Sequence, residues 1–139
     1  MKPRFDEIFK EITGDPDQTI TTIPTLANGV TCTVGASWVL GAFATILAAG
    51  SNTTRNKIIG ICPSGPSAAD EYQINIYAGS TLMAAVPYTQ ETATGAALPI
   101  MLPKPFIIDS ATDIKAKVAS LGAAGETINV KLIAVPVNY

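Results

Sequence analysis

The amino-acid sequence predicts an all-β protein: a single-domain antiparallel jelly roll or β-sandwich over residues 18–139, preceded by a short N-terminal helical arm over residues 1–17. Three observations lead there. After residue 17, Thr, Ile and Val recur in short runs that Pro, Gly, Asn and Ser interrupt at close intervals, as expected for many short strands. Two runs, Glu71–Tyr77 and Thr127–Leu132, alternate apolar and polar residues, which sends one face inward and the other to water. No strand–helix–strand pattern and no internal repeat occurs, which argues against a parallel α/β sheet and a repeat architecture.

The arm differs from the rest in charge. Residues 1–17 hold three basic residues against five acidic ones, which accounts for the whole net charge of −2; the remaining residues carry six of each sign. Phe5, Ile8, Phe9 and Ile12 are spaced i, i+3, i+4, i+7, the apolar stripe of a helix. Gly14, Asp15 and Pro16 then stop it. A helix of about ten residues is not stable alone in water. The stripe therefore packs either on its own domain or on a neighbouring subunit.

The expected strands are 19–24, 30–34, 37–48, 56–62, 71–78, 81–88, 97–108 with a kink, 113–119 and 126–137. In Glu71–Tyr77, Tyr72, Ile74 and Ile76 face inward. Ile114–Val118 fits a strand by alternation, although Ile114, Val118 and Leu121 also fit a helical spacing. Pro99, Pro103 and Pro105 place 97–108 at an edge or a corner, because proline cannot donate to a ladder. Segments 64–70 and 89–97, rich in Ser, Ala, Thr and Gly, read as exposed loops. As a continuous strand, 37–48 puts Trp38, Leu40, Ala42, Ala44 and Ile46 on one face and Val39, Phe43 and Leu47 on the other. Both faces are apolar, whereas a sandwich strand normally keeps one polar face for water. The expectation is that a second chain covers the Val39–Phe43–Leu47 side.

Composition excludes several functions. Charged residues make up 14% of the chain and His is absent. Nucleic-acid binding through a basic field is disfavoured, and histidine-based general-base catalysis or zinc ligation is impossible. No nucleophile elbow or phosphate-cradling loop is present. Asp70-Glu71 and the pair Asp109 and Asp113 read as turn and capping carboxylates, so no catalytic residue, metal ligand or cofactor is expected. Tyr72, Tyr77, Tyr88 and Trp38 read mainly as packing residues, with a sugar-stacking platform as the alternative. Cys32 and Cys62 form no metal-binding pair; they are either two free thiols or a disulfide between neighbouring strands. The apolar stretch Val34–Ala49 is only 16 residues long, short of the roughly 20 needed for a spanning helix. Met1–Glu7 has no apolar segment behind its basic residues, so no secretion signal is expected.

The order Ser37–Phe43, Ile58–Ile61, Glu71–Gly79, Leu98–Ile100, Pro105–Ile108, Ile114–Ser120 and Ile128–Leu132 resembles the small jelly-roll virion proteins of tailed bacteriophages, in particular the capsid cement, or decoration, proteins. The resemblance spans residues 30–137 and leaves out the arm. It implies a structural protein made in the host cytoplasm and carried on the capsid exterior, which bridges neighbouring copies of the major capsid protein, often as a dimer or trimer. On this reading Phe5, Ile8, Phe9 and Ile12 anchor the arm, and Val39, Phe43 and Leu47 form a subunit interface. The competing expectations are another virion component (a head–tail connector, or a tail or fibre receptor-binding domain) and a carbohydrate-binding module.

Overall fold

The computed structural model describes residues 19–24, 29–90 and 98–137. The arm, including Phe5, Ile8, Phe9 and Ile12, lies outside the described residues, as does most of the expected loop at 89–97.

The described residues form nine strands: β1 (Thr21–Ile23), β2 (Val30–Thr33), β3 (Ala44–Leu47), β4 (Asn56–Ser64), β5 (Asp70–Ala78), β6 (Thr81–Gln90), β7 (Ile100–Ile108), β8 (Ile114–Ser120) and β9 (Thr127–Pro136). One sheet runs β1-β9-β4-β7, with β2 also on β9; the other runs β3-β8-β5-β6. Every pairing is antiparallel. The pairs are nested along the chain. β5 joins β6 innermost, β4 joins β7 around them, β3 joins β8, and β1 with β2 joins β9 outermost. A long antiparallel hairpin wound into two facing sheets in this order is a jelly roll.

β1 and β2 are two halves of one broken edge. Ile23 lies opposite Leu132 and Val30 opposite Val130, so both halves run along the same side of β9. Pro24 follows β1 directly, and without an N–H it cannot continue the ladder. β7 pairs with β4 only and carries Pro103 and Pro105, the edge placement that proline demands. The β4–β7 register shifts between Ile58 and Gly60, which is the expected kink. β5 turns into β6 at Gly79, whose φ of +60° suits a residue without a Cβ.

Two-residue alternation builds the core. Ile58, Ile61, Ile74, Ile76, Ile114, Val118, Ile128, Val130 and Leu132 are all 0% exposed, and residues from both sheets share one cluster. Each such side chain contributes about 1.5–3 kcal/mol of burial. Tyr72 is buried with them and donates its hydroxyl to the Ala68 carbonyl at 2.7 Å.

The segment 37–48 departs from the expected strand. Only Ala44–Leu47 is strand. Val39 N–H donates to Ala36 O at 2.8 Å and Gly35 N–H to Val39 O at 3.0 Å, closing a turn in which Trp38 has a φ of +57°. The chain still follows β8, through Trp38 N–H to Ser120 O at 2.7 Å and Gly41 N–H to Val118 O at 3.0 Å. Trp38, expected to be internal, is instead 48% exposed. The turn carries Trp38 and Val39 off the two expected faces and the register shift before Leu47 carries that residue off, whereas Ala44 and Ile46 still point inward and Phe43 and Thr45 outward. β4 and β5 also reach further than expected, to Ser64 and from Asp70, which leaves a shorter loop in which Pro66 is buried.

Candidate interaction surface

The outer face of the β3-β8-β5-β6 sheet brings Phe43, Tyr77, Lys115 and Lys117 together. β8 alternates inward Ile114, Ala116 and Val118 with outward Lys115 and Lys117. Lys115 lies opposite Tyr77 and Lys117 opposite Asn75 across the β5–β8 pair. On the other side of β8, Ala44 is registered with Ala116, which brings Phe43 beside the two lysines. The Phe43 ring stands edge-on to Tyr77 at 5.0 Å and 86°. Lys115 Nζ lies 4.3 Å and Lys117 Nζ 4.1 Å from the Phe43 centroid, and Lys117 Nζ is 5.9 Å from that of Tyr77. Outward residues of β5 form a bonded row: Gln73 Nε2 donates to Asn75 Oδ1 at 3.0 Å, and Asn75 Nδ2 to Tyr77 Oη at 3.4 Å.

A second surface lies where the chain turns before β3. Trp38 and Val39 are 48% and 52% exposed, and Leu121 just beyond β8 is 51% exposed. Trp38 bonds to Ser120, and Ser37 Oγ donates to the Leu121 carbonyl at 2.8 Å, so the three form one apolar corner.

The structure separates the three residues expected to share an interface. Val39 belongs to the apolar corner and Phe43 to the basic aromatic face. Leu47 follows a register shift between Thr45 and Leu47 and lines a cleft of about 330 Å³ with Thr21, Ile23, Pro24, Asn52 and Asn56. At its wall, Asn52 Nδ2 donates to the carbonyls of Asp109 at 3.1 Å and Thr112 at 2.9 Å, while its buried Oδ1 has no partner.

The carboxylates act as expected in turns and caps. Asp113 Oδ1 accepts from Ala49 N–H at 2.6 Å, Asp70 Oδ1 from Glu71 N–H at 2.8 Å, and Asp109 pairs with Arg55 at 3.0 Å. Glu126 accepts from Ser120 Oγ at 2.9 Å. Among the described residues, no group of three or more Cys, Asp or Glu side chains is placed to hold a metal ion, and no helix is long and apolar enough to cross a membrane. Cys32 and Cys62 are both free. Cys32 faces the core opposite Ile128, and Cys62 faces outward opposite Lys131 on the other side of β9, so no disulfide joins them. Burial pushes the Cys32 thiol up to about 12. Burial raises Cys62 too, against the lowering effect of Lys131.

Sequence reasoning missed the lysine pair. The outward spacing of Lys115 and Lys117 was legible, but the ring that joins them comes from a segment about 70 residues earlier in the chain.

No protein family and no curated protein matches the chain. Solved structures with a similar arrangement include the CBM36-1 domain of a multidomain xylanase from the hindgut metagenome of Trinervitermes trinervoides (9% identity, TM-score 0.46, covering 88% of this chain and 99% of that one). Another is the VP2 subviral particle of infectious bursal disease virus (14% identity, TM-score 0.42, covering 88% of this chain and 33% of that one). At these identities and TM-scores the neighbours assign no function.

Proposed function

We propose that the protein is a structural virion component: a capsid cement protein that attaches to the outer surface of an assembled shell, as a dimer or trimer, and bridges neighbouring major capsid subunits. The supporting observation is the apolar corner of Trp38, Val39 and Leu121. Three large apolar side chains exposed together on a chain with 14% charged residues suit a broad apolar contact with another protein. Attachment to the assembled shell alone stabilises the shell by mass action.

Trp38→Gly tests this cleanly. Glycine accepts the φ of +57° without the cost of about 1–2 kcal/mol that an L side chain meets there, so the variant stays folded while the ring is lost. The expected result is that the wild-type chain co-sediments with expanded shells of the phage that encodes it, that attachment survives high salt, and that Trp38→Gly weakens it at least tenfold. Unchanged attachment of a folded Trp38→Gly variant, or no attachment of the wild type, overturns the reading. A carbohydrate-binding role draws on a different surface, the face around Phe43 and Tyr77.

A further inference from the structure

The outer face of the β3-β8-β5-β6 sheet holds two ammonium groups on one aromatic ring. Lys117 Nζ is 4.1 Å and Lys115 Nζ 4.3 Å from the Phe43 centroid, and the ring is 41% exposed. Neither lysine forms an ion pair with a described residue. Two like charges on one ring build a positive local potential, which an anion beside the ring relieves.

Beside the lysines, Gln73, Asn75 and Tyr77 occupy consecutive outward positions of β5, a row about 14 Å long at two residues per step. Asn75 is 4% exposed and holds the row together from within. Because the Tyr77 hydroxyl accepts from Asn75, its own proton is left to donate elsewhere. Gln73 keeps its carbonyl oxygen as an outward acceptor.

We infer that this face binds an acidic polysaccharide. A hexuronate carboxylate meets the Lys115 and Lys117 ammonium groups beside the Phe43 ring, and sugar hydroxyls meet Gln73 and Tyr77. The row lies on β5, an inner strand with β8 and β6 on its two sides, so a peptide cannot add there as a further strand. The amide of Gln73 and the hydroxyl of Tyr77, at the two ends of the row, match a polymer rich in hydroxyls. The lysines stand over Phe43, so charge rather than ring stacking provides the affinity. This site is independent of attachment through Trp38 and Val39.

The test is affinity electrophoresis and calorimetry of the full chain at low salt, with polygalacturonate as probe and dextran and polyglutamate as controls. Wild type is expected to bind polygalacturonate and not dextran, with polyglutamate at least tenfold weaker. Lys115→Gln/Lys117→Gln weakens polygalacturonate binding at least tenfold, and Tyr77→Phe several-fold, with the circular dichroism and thermal melt of each variant near wild type. The single Lys117→Gln variant, with an intermediate loss, serves if the double variant is poorly folded. Three results overturn the site: no binding to polygalacturonate, unchanged binding by the folded lysine variants, or equal binding to polyglutamate. The last would mean an acidic protein segment docks there by charge alone.

Discussion

Gly41 passes so close to the carbonyl oxygen of Thr33 that a Cβ on residue 41 would overlap it. Thr33 ends β2 in one sheet, and Gly41 runs along β8 in the other, so this contact closes one side of the sandwich. The obstacle is backbone and cannot swing away. Gly41→Ala is expected to cost about 3 kcal/mol, read as a lower urea midpoint. Gly50, with open space around its Cα, is the control: Gly50→Ala changes stability by less than about 0.5 kcal/mol.

Asn52 ties the turn before β4 to the turn between β7 and β8. Its side-chain amide nitrogen donates to two carbonyls, and its backbone carbonyl accepts from Ala111 N–H at 2.7 Å. Asn52→Ala leaves the Asp109 and Thr112 carbonyls without that donor and is expected to cost about 2 kcal/mol. Asn52→Asp costs more at pH 7, because a buried carboxylate then faces two carbonyl oxygens. That extra loss shrinks as pH falls, since burial raises the carboxyl in the folded variant and protonation removes the charge. Denaturant titrations at pH 7 and pH 5 check both statements.

The two thiols differ in access. Cys62 is half-buried and outward, whereas Cys32 is 1% exposed. A thiolate is the reacting form, and Cys32 stays protonated to about pH 12. At pH 8 a colorimetric disulfide reagent is expected to modify one thiol in the native protein and the second only after denaturant is added. Mass spectrometry of the labelled peptides should place the first label on Cys62.

Alkali should weaken the fold in two steps. The Cys32 thiol is raised from 9.0 to about 12 by burial. The Tyr72 hydroxyl is raised from 10.0 to about 12, chiefly by burial, with Glu126 and Asp70 adding to it. For both groups the folded state holds its proton where the unfolded chain has lost it. Stability is therefore full below about pH 9, falls from there as Cys32 ionises in the unfolded state, and falls faster above pH 10, by up to about 1.4 kcal/mol per pH unit per group. Cys32→Ala should remove the first component and Tyr72→Phe the second, measured as urea midpoints from pH 8 to pH 11.

Much of the fold was legible because its signals are local. The alternation in Glu71–Tyr77 and Thr127–Leu132 identified the buried Tyr72, Ile74, Ile76, Ile128, Val130 and Leu132, and the prolines placed β7 at an edge. The reading of 37–48 failed for an equally physical reason. Its composition suits a doubly buried strand, but Gly41 is drawn against Thr33 and a turn closes between Gly35 and Val39, which takes Trp38 and Val39 out of the strand.

By itself the sequence determined the strand periodicity, the inward residues of β5 and β9, the low charge and the absence of histidine chemistry. These follow from residue type and two-residue spacing. Tertiary structure decided the nested pairing of the two sheets, the exposure of Trp38, the separation of Val39, Phe43 and Leu47, and the meeting of Lys115 and Lys117 on Phe43. Each of these depends on which distant strands become neighbours, and that is set by how the whole core closes rather than by any one segment.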